Sequence, residues 1–226
     1  MFDNPVFIVT FLPVLLFSLT FHEAAHAWMS NRIGDPTARM LGRLTLNPLA
    51  HLDVFGTLML FLSGFRFGWA KPVPVDPRNF SDPKRGMFLT AAAGPASNII
   101  LAIACGFAVR VMIAAWGTSV TDGFNGALLR ILGMGVVMNL SLAFFNLIPL
   151  PPLDGSKILY GLAPDRWDYA LYRLERIGPA ILMGLILMGF LVGFSPIWTV
   201  MSPFVRLFTL AFSGLPLNVL YSLIYS

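Results

Sequence analysis

The sequence predicts an all-α polytopic membrane protein of about five spanning helices. To these it adds a re-entrant or hairpin segment with a short membrane-embedded β-like stretch, and a short interfacial amphipathic helix. Three observations carry this expectation. Hydrophobic residues make up 57% of the 226 positions and charged residues only 12%, whereas an ordinary soluble domain is about one-quarter charged. With a mean hydropathy of +0.76, too few charges remain to cover a water-facing surface. Apolar runs recur with short connections, which favours one domain over residues 1–226, with a core at about 5–160 and C-terminal helices at about 163–226. The basic residues gather in alternate loops, so the net charge of +4 reads as membrane topology and excludes a nucleic-acid patch. Cys105 stands alone, and no disulfide framework is expected.

Residues 5–29 read as the first span, with Asn4 as its cap and Pro5 in its first turn. Arg32, Arg39 and Arg43 follow at once and mark the cytoplasmic side. No basic n-region or small-residue cleavage site opens the chain, so a removable signal peptide is not expected. The next apolar run, 54–65, is short: about fifteen residues give roughly 22 Å of helix against a hydrocarbon core of about 30 Å. Arg66, Lys71, Arg78, Lys84 and Arg85 come after it. A crossing would put basic loops on both faces, so a re-entrant excursion is the better reading. Residues 68–75 alternate proline with other residues, which forbids helix and leaves an extended segment or a plain interfacial loop.

Residues 87–116 form the second clear span. It opens with the small-residue run Ala91 to Asn98, a surface suited to close helix contact. Asn98 reads as a helix-to-helix hydrogen bond ahead of a functional role. A loop free of Lys and Arg, 118–125, leads to a returning span at 127–147. Pro149, Pro151 and Pro152 then break the helix, and broken backbone at membrane depth survives only where it is buried or lines a cavity. In 163–176, Trp167, Ala170, Leu171 and Leu174 recur at helical spacing opposite Asp168, Arg173, Glu175 and Arg176, the pattern of an interfacial amphipathic helix. Two further spans follow at 177–194, with a Gly189/Gly193 contact surface, and at 198–225. On this topology only Arg110, Arg130 and Arg206 of the fifteen Lys and Arg lie away from the cytoplasmic side.

The chemistry concentrates at Thr20-Phe21-His22-Glu23-Ala24-Ala25-His26-Ala27-Trp28. On a helix His22 and His26 project from one face about one turn, roughly 6 Å, apart, a spacing at which two imidazoles share one metal ion. Glu23 lies round the helix from them, placed to act on a water and not as a ligand. Two structural histidines bridging helices are the competing reading. It is disfavoured because two of only three histidines in the chain fall at ligand spacing beside a carboxylate. Asp154, on the proline-broken segment of the same membrane side, needs a partner, and a metal ion would be one; a turn or helix-cap role is its alternative. Two His and one Asp with a fourth position open is the arrangement of catalytic zinc, Zn2+, which acidifies water and polarises a carbonyl. Glu23 would then serve as general base and Asn146 as a hydrogen-bond donor to the oxyanion.

At these residues the chain resembles the site-2 protease family of intramembrane zinc metalloproteases. The resemblance rests on the segment from His22 to Trp28, on Gly94-Pro95-Ala96-Ser97-Asn98, and on the spacing from Asn146 to Asp154-Gly155. It implies zinc held by His22, His26 and Asp154, Glu23 as general base, and cleavage of a transmembrane helix unwound beside a β-like segment. Residues 68–75 look like that segment in the small bacterial branch without a PDZ domain. Many relatives continue the aspartate motif as Asp-Gly-Gly-Arg, where this chain has Asp154-Gly155-Ser156-Lys157; the departure touches a flank and not a ligand. His51 and Asp53 form a further polar pair, read as structural ahead of an alternative ligand or a gating contact.

The reading is therefore an intramembrane zinc endopeptidase in a cell membrane, its site toward the cytoplasm, its partners lipid and a transmembrane-helix substrate. The alternatives are a zinc-binding membrane protein without proteolysis and a metal transporter. Glu23 argues against the first, since binding alone needs no base. The almost purely apolar outer halves of the spans argue against the second.

Overall fold

The computed structural model describes residues 5–65, 67–117 and 123–225. The Asn4 cap, Arg66 and most of the expected outer loop lie outside the described residues. Among those described, the chain is all-α. Four helices are long and apolar enough to cross a membrane, or five if one bent pair counts as a single span, and the protein is a multi-pass membrane protein.

The first helix, α1, runs Pro5–Arg32. It stops at Gly34, whose φ of 120° no side-chain-bearing residue adopts readily. A one-turn helix, α2 (Thr37–Met40), follows, and then α3 (Val54–Leu62), capped by Asp53, whose carboxylate accepts from Gly56 N at 2.8 Å. Beyond α3 the chain reverses through Gly64 and Phe65, both at positive φ. It comes back extended, so that Leu52 and Ala70 form an isolated antiparallel bridge and Lys71 N donates to His51 O at 2.8 Å. The two arms touch: a Cβ at Gly56 would lie 2.1 Å from Trp69 O, and one at Gly68 would lie 2.7 Å from Gly56 O. The excursion thus closes on its own start. The bridge is isolated, and no strand forms among the described residues.

The loops before and after this hairpin are clamped together. Asp35, fully buried, accepts from Thr37, from Asp76 N at 2.9 Å and from Asn79 Nδ2 at 2.7 Å. Arg43 donates to Lys71 O and Pro72 O.

Helix α4 (Pro83–Trp116) starts earlier than the apolar run suggests, because Asp82 caps it and Pro83 suits its first turn. Helix α5 (Gly123–Asn146) packs along it, and both also face α1. The short α6 (Asp154–Leu162) follows the proline loop. Residues 163–176 do not make a separate interfacial helix. Asp168–Val192 is one continuous helix, α7, whose first turns carry the amphipathic pattern, since nothing between Asp168 and Ile177 interrupts backbone bonding. Gly193 is no contact glycine: it terminates α7 at φ 74°. The last predicted span is also broken, into α8 (Pro196–Ser213) and α9 (Leu217–Tyr225), bent by 75° where Gly214 turns left-handed and Pro216 follows.

The apolar core gathers along the second half of α4 and much of α5: Val109, Met112, Leu129, Val136 and Leu140 pack with Val205 of α8 and Leu220 of α9. Glycines permit the close crossings, since a Cβ at Gly106 would meet the Phe212 backbone at 2.8 Å and one at Gly135 would meet Cys105 Sγ at 2.8 Å. The other end of α4, between Thr90 and Asn98, faces α1 and α6 and holds the polar residues.

Candidate metal centre

Three side chains from two distant segments meet there. The spacing of His22 and His26 on α1 sets their rings 4.6 Å apart and nearly perpendicular. Their Nε2 atoms are 3.0 Å apart, and Asp154 Oδ2, at the first turn of α6, lies 3.1 Å from each. All three are buried, His22 at 4%, His26 at 7% and Asp154 at 8% exposure. The helix-cap alternative for Asp154 fails, because its carboxylate turns to the imidazoles.

The proton on each ring follows from its other nitrogen. His26 Nδ1 lies 2.7 Å from Thr90 O, which only accepts, so Nδ1–H donates. For His22 the assignment runs through a chain anchored on a carbonyl. Asn139 Nδ2 donates to Gly135 O at 2.8 Å, so its Oδ1 accepts from Asn98 Nδ2 at 2.8 Å. Asn98 Oδ1 in turn accepts from His22 Nδ1–H at 2.6 Å. In the neutral rings both Nε2 atoms then carry lone pairs. With the carboxylate oxygen they form a triangle of three acceptors in a buried site, an arrangement that repels itself unless a shared cation joins it. Two metal bonds of 2.0–2.1 Å at a tetrahedral angle span about 3.3 Å, close to the observed edges. The donor set and its outer hydrogen bonds fit zinc.

Space is made for the site as well. A Cβ at Gly94 would lie 2.4 Å from His26 Nε2 and 2.7 Å from His22 Cε1, so the small-residue run of α4 clears room for the rings as well as for a neighbouring helix. A Cβ at Gly155 would lie 2.4 Å from both Leu147 O and Ile148 O, which is why glycine follows the aspartate. Ser156 Oγ donates to Leu153 O at 2.7 Å, so the departure from Asp-Gly-Gly-Arg sits off the triangle.

Glu23, also buried, is the next residue on α1. Asn146 closes α5, and its amide donates to Leu142 O at 3.0 Å. His51 and Asp53 do not join the cluster: Asp53 caps α3, and His51 Nε2 donates to Thr45 O at 2.9 Å. Asn98 proves to be both helix contact and histidine partner, since its Nδ2 also lies 3.3 Å from Ser18 O. Sequence reasoning missed Asn139 and the Thr90 carbonyl. An asparagine in the middle of an apolar helix was the available signal for the former; a carbonyl leaves none.

Fold and site together define a class: multi-pass membrane proteins with a buried His-His-Asp cluster suited to one metal ion. Residues 110–188 match the model of peptidase family M50. The chain is 41% identical over 175 residues to YwhC of Bacillus subtilis (strain 168), a candidate zinc metalloprotease, covering 77% of this chain and 78% of that one. It is 30% identical over 181 residues to Rip2 of Mycolicibacterium smegmatis, similarly described, covering 74% of this chain and 66% of that one. With Rip2 of Mycobacterium tuberculosis (strain ATCC 25618 / H37Rv) the identity is 29% over 147 residues, covering 64% of this chain and 53% of the relative. No solved structure matches. The chain belongs to peptidase family M50, the site-2 protease family of zinc metalloproteases.

Proposed function

We propose that the protein is an intramembrane zinc endopeptidase that hydrolyses peptide bonds within transmembrane helices, in regulated proteolysis or in clearing signal-peptide remnants. The observation that carries this reading is the triangle of His22 Nε2, His26 Nε2 and Asp154 Oδ2 inside a membrane protein. These three residues hold the zinc, which when bound supplies Lewis acidity to a water and to the scissile carbonyl. Asn98 and the Thr90 carbonyl keep both rings in the metal-binding tautomer. Glu23 takes a proton from the attacking water and later delivers one to the leaving amine. Asn146, turned from Leu142 O, donates to the tetrahedral oxyanion.

Residues 1–226 act as one integral membrane domain on this reading, with the site toward the cytoplasm. The hairpin of α3 and residues 67–70 is re-entrant; the Leu52–Ala70 bridge, which brings its two ends together, supports this. A cavity of about 780 Å³ supports a helical substrate: it lies between α1, the hairpin, α5, α7 and α8, and its lining includes Thr20 and Phe145, which precede His22 and Asn146 by two residues and one residue in the chain. Wild type and Glu23→Gln are co-expressed with a panel of single-span substrates and the products mapped. Cuts inside the spans by wild type alone are expected. Equal cleavage by a zinc-loaded Glu23→Gln form removes Glu23 as the base, and no cleavage by wild type removes the reading.

A further inference from the structure

His51 is the polar group that the proposed chemistry leaves unused. It is buried to 2% exposure and lines the large cavity. Its Nε2–H donates to Thr45 O, which leaves the lone pair of the neutral ring on Nδ1, and Nδ1 is buried with no hydrogen-bond partner among the described residues. A buried acceptor without a donor is costly to maintain and calls for an explanation. Four hydroxyls share this wall, those of Thr20, Thr57, Ser141 and Ser195; Thr20 donates to Leu16 O at 2.6 Å, and Ser195 Oγ accepts from Trp198 N at 3.2 Å. His51 also sits where the hairpin closes, its own carbonyl accepting from Lys71 N.

The ligand chemistry follows from what enters such a cavity. A transmembrane helix has every interior N–H bonded to its own carbonyls. Only a locally unwound stretch brings free N–H groups into an apolar space, where each needs an acceptor. We infer that His51 is a substrate-binding residue whose Nδ1 accepts a backbone N–H from the unwound, extended segment of the substrate chain. The inference rests on the proposed peptidase reading and adds one contact to it. A chain held by His51 runs through the same cavity that Thr20 lines, two residues before His22, and that Phe145 lines beside Asn146. The contact therefore anchors the substrate at a distance from the cut and keeps it extended.

Two substitutions separate this role from loop support. The Gln side chain of His51→Gln reproduces the Nε2 donor to Thr45 O but not the Nδ1 acceptor. The Asn side chain of His51→Asn reproduces the acceptor and loses the donor. A synthetic transmembrane peptide with a Gly-Pro break is assayed in proteoliposomes with zinc-loaded enzyme, alongside a series in which successive backbone amides are replaced by esters. The expected result is a kcat/KM lower by about tenfold in His51→Gln at unchanged zinc content and Tm, with His51→Asn within about threefold of wild type. One ester position should cost wild type about tenfold and cost His51→Gln nothing more, the coupling expected of two partners in one bond. Wild-type kinetics in His51→Gln, a loss that tracks zinc or Tm, or an ester profile identical in both enzymes overturns the assignment and leaves the peptidase reading standing. Failure of wild type to cut any peptide overturns both.

Discussion

At the residue scale, the proposed site depends on what surrounds its three candidate ligands as much as on those side chains themselves. His22 keeps its proton on Nδ1 only because Asn98 offers an oxygen, and Asn98 offers it only because Asn139 occupies its amide. Replacing Asn98 by Leu removes the acceptor and frees the ring. Zinc affinity, measured by competition with a chromophoric chelator, is expected to fall by about 10–100-fold, with His26 still held by Thr90 O. A retained affinity would show that the tautomer chain is irrelevant to binding. Gly94→Ala is expected to displace both imidazoles and lower zinc stoichiometry in the purified protein. The control is Gly184→Ala, on α7, where a Cβ meets nothing within 4 Å. Equal zinc contents in the two variants would contradict the close packing at Gly94.

At the scale of elements, the hairpin and its flanking clamp are the features whose sequence signals are weakest. Because α3 and the returning arm meet at Gly56 and Gly68, Gly56→Val forces them apart, and a loss of more than about 2 kcal/mol is expected from overpacking. Thermal unfolding in detergent reads it. The clamp is governed by Asp35. Burial pushes its carboxyl up, but hydrogen bonds from Thr37, Asn79 and Asp76 N–H outweigh that and hold it below the usual value of 3.8. The folded value lies below the unfolded one, so the clamp's contribution is complete above the ordinary carboxylate range and is lost as pH falls through the folded value. Amide exchange at Asp76, corrected for its intrinsic rate, is expected to stay slow at pH 5 and to accelerate below about pH 4; exchange independent of pH after correction would disprove the coupling.

At the scale of the whole molecule, the proposed metal centre would cross-link α1 and α6 against α4. Binding energy at such a site would be folding energy, since a protein that binds its ligand only when folded gains about 2.7 kcal/mol at a hundredfold excess over Kd. Chelation is expected to lower Tm and abolish proteolysis, with zinc restoring both. In Asp154→Ala the difference in Tm between chelated and zinc-supplemented protein should largely vanish. A full zinc-dependent rise in that variant would mean that the carboxylate is not a ligand. The two ends of α4 divide the labour: the apolar cluster around Val109 and Leu140 supplies packing, and the end near Gly94 is given over to polar contacts.

Much of this was legible in the chain. The membrane class follows from composition, because bilayer residence requires long apolar runs and tolerates few charges. His22, His26 and Asp154 could be nominated because chemistry imposes the four-residue spacing and makes an intramembrane carboxylate costly. Helix bounds were harder where a pattern changes without a break in the backbone, as at Asp168–Arg176, or where a single glycine turns the chain, as at Gly193 and Gly214. Only the tertiary structure decided that Gly94 must lack a side chain, that Asn98 and Asn139 set a tautomer, and that Leu52 meets Ala70. Those facts depend on distances between segments tens of residues apart, and the packing that creates such distances leaves no periodicity in the sequence.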